Sequence, residues 1–186
     1  MKEKIIKDGK EKKFNELWKE SKKEIFRLQL LNTYRVDDEK KLFEDYKKGK
    51  HIDLSKDGEF NNWLHMIQTK KNQGVRIIDL EIVELPLNKY NLFGIDLFLS
   101  KTNKIGQETL YIERKNARKL ISGFKDYWMF DSKAIIPMNY NKYGYFLNMD
   151  RVIQDKKELA KYIELKNNLL KIAIPMKKFL RNNKIK

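Results

Sequence analysis

The sequence has 186 residues, a formal net charge of +15, and 41% hydrophobic residues. This length fits one globular domain with its own core, and the composition is too apolar for intrinsic disorder. The absence of cysteine excludes disulfides and thiolate metal sites, and two histidines offer little for a zinc site. A charged amino-terminal stretch and the lack of a long apolar run argue against a signal peptide and a membrane span, so we expect a cytoplasmic protein.

The excess of positive charge has two interpretations. A strongly basic chain favours polyanionic partners, because phosphate contacts release counterions. However, the 41 basic residues comprise 34 Lys and only 7 Arg, a bias that an AT-rich genome also produces. Both interpretations stay open at this point. Since base reading favours arginine, sequence-specific recognition of DNA is the less favoured form of binding.

The amino-terminal part of the chain predicts a tail, a helix and an ambiguous segment. Residues 1–12 alternate basic and acidic side chains with little apolar content, which is typical of a frayed tail. Helical spacing of apolar residues begins near Lys13. Residues 25–31 fit either a short strand or the end of a helix.

The next segment predicts two helices and a buried strand. Asp37 and Asp38 are expected to cap a helix that stops at Gly49. A second helix closes at Gly74, and residues 75–83 follow at once with apolar positions dense enough for a buried strand. Helix, glycine and strand in this order indicate the αβ unit of a layered α/β domain.

The carboxy-terminal half predicts several strands and one long helix. Residues 90–99 are apolar on both faces and fit helix or strand equally. The expected strands cover 109–113, 127–130, 134–136 and 145–147, with a hairpin turn over 131–133. A helix from about Asp155 ends before Pro175.

Together these elements predict one α/β domain over residues 13–180, followed by a basic tail over 181–186. We expect a mixed central sheet flanked by helices, with an α+β arrangement as the alternative. The predicted core consists of Trp63, Leu64, Ile67, Val75, Ile77, Leu80, Ile82, Leu97, Tyr111, Trp128, Phe130, Ile135, Ile163 and Leu170.

Four segments carry a resemblance to a known family. They are Phe26-Arg27-Leu28 with Tyr34-Arg35-Val36; Trp63-Leu64 with Gly74-Val75-Arg76-Ile77, Leu87, Tyr90 and Phe93; Tyr127-Trp128-Met129-Phe130-Asp131; and Ala173-Ile174-Pro175. The chain resembles an uncharacterised bacterial domain family that is common in high-GC Gram-positive bacteria. The resemblance implies no particular reaction, although such genes often lie beside helix-turn-helix regulators. Ser132 departs from the pattern, which commonly has a second Asp there.

A second likeness is architectural. The helix closed by Gly74, the strand after it and the later hairpin resemble half of a phospholipase D-like domain. That superfamily uses a His-x-Lys motif, and neither His51 nor His65 has Lys two residues later. The likeness therefore implies a fold without its chemistry.

Asp96, Glu113 and Lys115 form the sharpest catalytic pattern. Metal-dependent nucleases of the PD-(D/E)-x-K class place an Asp at a strand start and a Glu-x-Lys on the next strand. Strand alternation would put Glu113 and Lys115 on one face, so that two carboxylates share a Mg²⁺ beside the lysine. Such a pattern also arises by chance in a chain with 36% charged residues, and a solvated strand edge is the favoured interpretation. Only the nuclease hypothesis calls for a cofactor, which would be Mg²⁺; otherwise we expect none.

An acidic stripe and an aromatic set give weaker signals. Asp79, Glu81 and Glu84 predict a polar strand face near solvent; buried carboxylates would need a partner such as Arg76 or Arg35. Core packing is expected to account for most of the aromatic set, while exposed members beside lysines could stack on bases. The set comprises Tyr127, Trp128, Phe130, Tyr140, Tyr143, Tyr145 and Phe146.

The chain has no acidic residue beyond Glu164 but many basic ones. We expect an exposed stripe on or just beyond the last long helix, because its members do not fit the apolar face of that helix. The stripe comprises Lys166, Lys171, Lys177, Lys178 and Arg181.

Three functional hypotheses follow. The favoured one is a non-enzymatic regulatory or accessory protein, of a kind that mobile elements encode, that acts with nucleic acid or a DNA-bound partner mainly through phosphate contacts. The alternatives are the Mg²⁺-dependent nuclease and a small-ligand sensor with a pocket near the aromatic hairpin.

Overall fold

A computed structural model describes residues 10–185 as one α/β domain built on a mixed sheet. The strands are β1 (Glu24–Gln29), β2 (Arg76–Val83), β3 (Gln107–Glu113), β4 (Asp126–Phe130), β5 (Ala134–Tyr140), β6 (Phe146–Met149) and β7 (Ile174–Pro175). Within the described residues they form one seven-stranded sheet in the order β6-β5-β4-β1-β2-β3-β7. β1, β2 and β3 run parallel, and the remaining pairs are antiparallel. The predicted fold class is confirmed.

Helices flank this sheet. They are α1 (Lys10–Glu20), α2 (Lys40–Lys47), α3 (Gly58–Asn72), α4 (Lys89–Gly94), α5 (Ser100–Lys104), α6 (Arg114–Ala117), α7 (Lys156–Ile172) and α8 (Met176–Asn182). A 3-10 turn (Asp37–Glu39) precedes α2, and a π-helical segment (Ile95–Leu99) joins α4 to α5. None of the helices in this described range is long and apolar enough to cross a membrane.

Local signals explain several element boundaries. The Asp57 side chain caps α3 by accepting a hydrogen bond from the backbone N–H of Phe60. Gly74 has a φ of +77°, which lets the chain leave α3 and enter β2 directly, as predicted. The predicted cap position is wrong: Asp37 and Asp38 lie in the 3-10 turn, and the N-cap residue of α2 is Glu39.

Some expected boundaries differ from the structure. α1 begins at Lys10 and α8 extends to Asn182, while the rest of the predicted amino-terminal tail, residues 1–9, lies outside the described residues. The two ambiguous segments are settled, because β1 covers residues 25–29 of the first and the second, 90–99, is helical.

The core lies on both faces of the sheet. On one face, Phe26 and Leu28 belong to an apolar cluster that includes Leu159, Leu165 and Leu169 of α7. The opposite face carries two separate apolar clusters, one beneath α1 and α3 and one beneath the π-helical segment and α8. Most predicted core residues are buried; those that are only partly buried are Trp63, Leu64, Leu97, Ile163 and Leu170.

Candidate functional site

The predicted basic stripe is largely exposed, and α8 carries most of it. Lys177, Lys178 and Arg181 are exposed, whereas Met176 and Phe179 turn inward. The Phe179 ring packs edge-on against Tyr111 of β3, with ring centroids 5.3 Å apart. This packing fixes the helix against the edge of the sheet and leaves its charged side in solvent.

These cations have no intramolecular counter-charge in the part of the chain that the structure describes. Lys171 is exposed at the end of α7 and donates a hydrogen bond to Asn168 at 3.2 Å. Neither it nor the three cations of α8 forms an ion pair with a described residue. Their charge is therefore available to an external anion.

Lys166 is the exception, and the prediction that it belongs to the exposed stripe is wrong. Its side chain is buried, 6% exposed for the residue as a whole. The ammonium lies 2.5 Å from a carboxylate oxygen of Glu24 and 3.2 Å from the Ser132 hydroxyl. Lys166 therefore connects α7 to β1 and to the β4–β5 turn.

The structure does not bring the nuclease pattern into its expected arrangement. Asp96 lies in the π-helical segment rather than at a strand start, and accepts a hydrogen bond from the Tyr46 hydroxyl at 2.5 Å. Glu113 is the last residue of β3, and Lys115 follows it in α6, with its ammonium 2.8 Å from a Glu113 carboxylate oxygen. Because Lys115 lies outside β3, strand alternation does not place it on the same sheet face as Glu113. No group of three potential metal-binding side chains occurs between residues 10 and 185. The nuclease assignment stays a prediction.

A row of polar side chains crosses the sheet face that lies opposite α7. Arg27 of β1 stands beside Asp79 of β2, and Gln29 stands beside Glu81. Asp79 is only 6% exposed. Its carboxylate accepts hydrogen bonds from Gln29 at 3.0 Å and from Gln107 at 3.4 Å. The prediction of a solvated acidic face is therefore wrong at Asp79, because these strands are covered on both sides.

Arg27 supplies the positive charge of this row. Its guanidinium lies over the Trp128 ring, 5.1 Å from the ring centroid. Burial lowers its pKa, but the neighbouring Asp79 and the Tyr140 and Tyr34 hydroxyls outweigh burial, and the net pKa is raised. The buried Nε has no hydrogen-bond partner among the described residues. Arg27 is therefore a charged group with an unused donor.

The neighbouring carboxyls hold their protons more tightly than usual. Burial, followed by repulsion from Asp79, raises the pKa of Glu81 to about 8. Burial also raises the pKa of Asp79, and the Arg27 charge opposes that change only in part. The Tyr111 hydroxyl lies near Glu81 but has no hydrogen bond of normal geometry to a described residue.

Tyrosines and further carboxyls border the row. The Tyr34 hydroxyl donates to Asp126, and the Tyr90 hydroxyl donates to Glu39 at 3.0 Å. The bordering side chains remain partly exposed even though burial is the leading cause of the raised pKa at Glu39, Tyr90 and Tyr140. These side chains form a partly exposed polar surface beside the row. We call this surface the polar cleft; it comprises Arg27, Tyr34, Glu39, Glu81, Tyr90 and Tyr140.

The sequence contains a signal for this cleft that no single motif reveals. In β1, Arg27 and Gln29 alternate with Phe26 and Leu28, and Asp79 and Glu81 show the same alternation in β2. Two neighbouring strands with complementary polar residues at matched positions indicate a paired, buried row rather than a solvent face.

The aromatic set divides as expected for a core with a few exposed members. Tyr127, Trp128 and Phe130 are buried. Tyr143 and Tyr145, at the turn between β5 and β6, are exposed.

The family of the chain is evident from its sequence. Residues 12–181 match a family described as a domain of unknown function, DUF6879. The chain belongs to this family. This membership confirms the resemblance to an uncharacterised domain family.

Other comparisons are more distant. No curated protein matches the DUF6879 chain in sequence. Among solved structures it is similar to TrmBL2, an archaeal chromatin protein whose structure "shows a novel mode of DNA binding", with a TM-score of 0.44 and 12% sequence identity. The similarity covers 89% of this chain and 51% of TrmBL2, so the chain spans about half the length of that protein.

Proposed function

We propose that this DUF6879 domain is a non-enzymatic accessory protein that binds nucleic acid mainly through phosphate groups, alone or beside a DNA-bound partner. The observation that supports it is the exposed charge of Lys177, Lys178 and Arg181 on α8, which is unpaired among the described residues, with Lys171 nearby in sequence. No acidic residue follows Glu164 in the sequence. An anion approaching α8 therefore displaces no ion pair within the described chain.

The residue types also determine the kind of recognition. Lysine acts as a point charge, whereas arginine offers a fork that reads guanine edges and clamps phosphate. A surface of three lysines and one arginine therefore favours phosphate contacts with weak dependence on base sequence. Such binding weakens steeply as salt increases, by about 0.9 log units per log salt for each phosphate contact on duplex DNA.

The test is a salt titration with fluorescently labelled duplex DNA. A variant with Lys177→Gln, Lys178→Gln and Arg181→Gln should bind more weakly, with a salt slope shallower by about 0.9 for each phosphate that it no longer neutralises. A control with Lys156→Gln, Lys157→Gln and Lys161→Gln removes the same charge from exposed positions of α7. Equal affinities and slopes for the two variants would contradict the assignment to α8, and no binding by the wild type at low salt would contradict nucleic-acid binding itself.

The polar cleft favours a second candidate function, the binding of a small polar ligand by a sensor domain. The specific observation is that two buried polar atoms, Arg27 Nε and Tyr111 Oη, lack hydrogen-bond partners in the described chain. Unsatisfied buried donors are costly, so a polar ligand that enters beside the cleft and opens a path to these two atoms would gain both hydrogen bonds.

Thermal unfolding in the presence of sugars, nucleosides and amino acids tests this second candidate. A ligand of the cleft should raise the Tm of the wild type more than that of Tyr111→Phe, which lacks the unsatisfied hydroxyl. A panel in which no compound raises the Tm, or in which both proteins respond equally, would speak against it.

A further inference from the structure

The β5–β6 hairpin carries most of the large hydrophobic side chains that are exposed in the described chain. Four large hydrophobic side chains are exposed between residues 10 and 185: Tyr143 (59%), Tyr145 (37%), Leu147 (56%) and Ile172 (42%). Three of these belong to the β5–β6 hairpin. β6 and β7 are the two edge strands of the sheet, and α8 follows β7 directly in the chain. The hairpin therefore lies at the opposite edge of the sheet from the start of α8. It is a surface separate from the basic side of α8.

A cation accompanies each of the two tyrosine rings. The Lys142 ammonium lies over Tyr143, 5.0 Å from the ring centroid, and the Arg35 guanidinium lies over Tyr145 at 5.6 Å. Neither cation forms an ion pair with another described residue. Residues 139–149 contain no Asp or Glu. Each exposed ring therefore has a cation beside it that no described carboxylate pairs.

The backbone holds this turn in one arrangement. The Asn141 carboxamide oxygen accepts hydrogen bonds from the backbone N–H groups of Tyr143 at 2.9 Å and Tyr145 at 3.1 Å. The carbonyl of Gly144 accepts from the backbone N–H of Arg35 at 2.9 Å. Gly144 has a φ of +86°, and a Cβ there would lie 2.6 Å from the Thr33 carbonyl oxygen, so the close approach requires glycine. A turn fixed in this way presents its rings with little entropy left to lose on binding.

We propose that Tyr143 and Tyr145 are stacking platforms for unpaired bases of single-stranded nucleic acid, with Arg35 and Lys142 contacting its phosphates. This inference rests on the proposed function only in taking nucleic acid as the ligand; it adds a second surface and a preference for single strands. Bases within a duplex present their edges, whereas a single strand exposes the base faces that stack on aromatic rings. The adjacent cations and the absence of acidic side chains from 139–149 favour a polyanion over an apolar protein partner.

The experiment compares a fluorescently labelled 20-nucleotide oligothymidine with a labelled duplex of the same length, at one salt concentration. Substituting Tyr143→Ser and Tyr145→Ser should weaken single-strand binding by about tenfold or more, since each base–aromatic stack contributes on that order. Duplex binding should stay within about twofold, because base faces are not available there. The pair Tyr143→Phe and Tyr145→Phe keeps both rings and should bind as the wild type does. Leu147→Ser, at an exposed position of the same hairpin, is the matched control for a smaller apolar surface.

Three outcomes would overturn the inference. The first is unchanged single-strand affinity in the serine variant, and the second is an equal loss for single strand and duplex. The third is intact nucleic-acid binding combined with loss of self-association in sedimentation, which would make the hairpin a protein contact. None of these outcomes tests α8, whose role is measured separately with the variant Lys177→Gln, Lys178→Gln and Arg181→Gln. Failure of this inference is therefore distinguishable from failure of the proposed function.

Discussion

The Lys166 ammonium lies 2.5 Å from a Glu24 carboxylate oxygen, joining α7 to the start of β1 across 142 positions of sequence. Glu24 also lies 3.7 Å from Arg76, so it keeps one cation if Lys166 is removed. We expect Lys166→Met to lower the free energy of unfolding by about 3 kcal/mol, the lower end for breaking a buried pair. Urea unfolding followed by tryptophan fluorescence measures this loss.

The control for this prediction is Lys171→Met on the same helix. Lys171 is exposed and has no ion pair with a described residue, so its substitution should change stability by less than about 0.5 kcal/mol. Equal effects of the two substitutions would show that the Lys166 pair does not stabilise the fold.

Asp131 explains why the resemblance includes an Asp after Phe130. Its carboxylate accepts hydrogen bonds from the backbone N–H groups of residues 22, 23 and 24 at 2.9, 2.8 and 2.9 Å. Burial raises the pKa of Asp131, but these backbone donors outweigh burial and the net pKa is lowered. The contact fixes the β4–β5 turn to the start of β1.

We predict that Asp131→Ala destabilises the domain by about 2 kcal/mol, the scale of hydrogen bonds to a charged group. Asp131 has a φ of +50°, which Asn tolerates better than Ala, so Asp131→Asn should cost less. Because the folded pKa is lowered, the charge-dependent part of the wild-type advantage should be present above the unfolded pKa of 3.8 and be lost as pH falls through the lower folded pKa. Unfolding curves at pH 6 and pH 3 test this, and a difference between wild type and Asp131→Ala that is the same at both pH values would contradict it.

Much of the sheet could be predicted from local pattern, because its determinants are close in sequence. Gly74 ends α3 and opens β2, and Asp155 accepts hydrogen bonds from the backbone N–H groups of Lys157 and Glu158 at the start of α7. The segment 90–99 could not be assigned from its pattern because it contacts protein on several sides. Phe93 packs against Phe43 of α2, Phe98 packs against Phe60 of α3, and Ile95 belongs to the apolar cluster beneath α8. A helix with apolar residues all around lacks the periodicity that identifies it.

The candidate sites were less predictable, because their contacts are long-range. The exposure of Lys177, Lys178 and Arg181 agrees with the run of basic residues after Glu164, which is visible in the sequence, but the helix that carries them, α8, was not predicted. The burial of Lys166 depends on Glu24 and Ser132, which no periodicity of α7 reveals. The placement of Asp79 likewise depends on β1 pairing with β2 in a particular register.

Glu81 should make the stability of the domain fall as pH rises. Its folded pKa of about 8 lies above the unfolded value of 4.5, so the folded state binds more protons between these values. The stabilisation is complete below the unfolded pKa and is lost as pH rises through 8, with a slope of up to about 1.4 kcal/mol per pH unit. The Glu81→Gln side chain cannot ionise. The free energy of unfolding of this variant relative to that of the wild type should therefore be higher at pH 8.5 than at pH 6. Parallel stability profiles for the two proteins across this range would contradict the prediction.

Arg27 and Asp79 should be energetically coupled, since they stand at paired positions of β1 and β2 within a covered sheet face. Removing the guanidinium by Arg27→Met leaves the Asp79 carboxylate without its cation and also removes the contact with Trp128. A loss of about 3–5 kcal/mol is expected for leaving a buried charge unpaired.

Asp79→Asn in the Arg27→Met background removes that charge, so the double variant should be less destabilised than the sum of the two single variants. The expected coupling energy is about 1–3 kcal/mol for opposite charges at paired strand positions, measured by urea unfolding of all four proteins at pH 7. The loss caused by Arg27→Met should also be smaller at pH 5 than at pH 7, because burial raises the pKa of Asp79 and a protonated carboxyl needs no cation. Additive single effects at both pH values would show that Asp79 does not depend on Arg27, and that the polar row is stabilised by its glutamine and tyrosine hydrogen bonds instead.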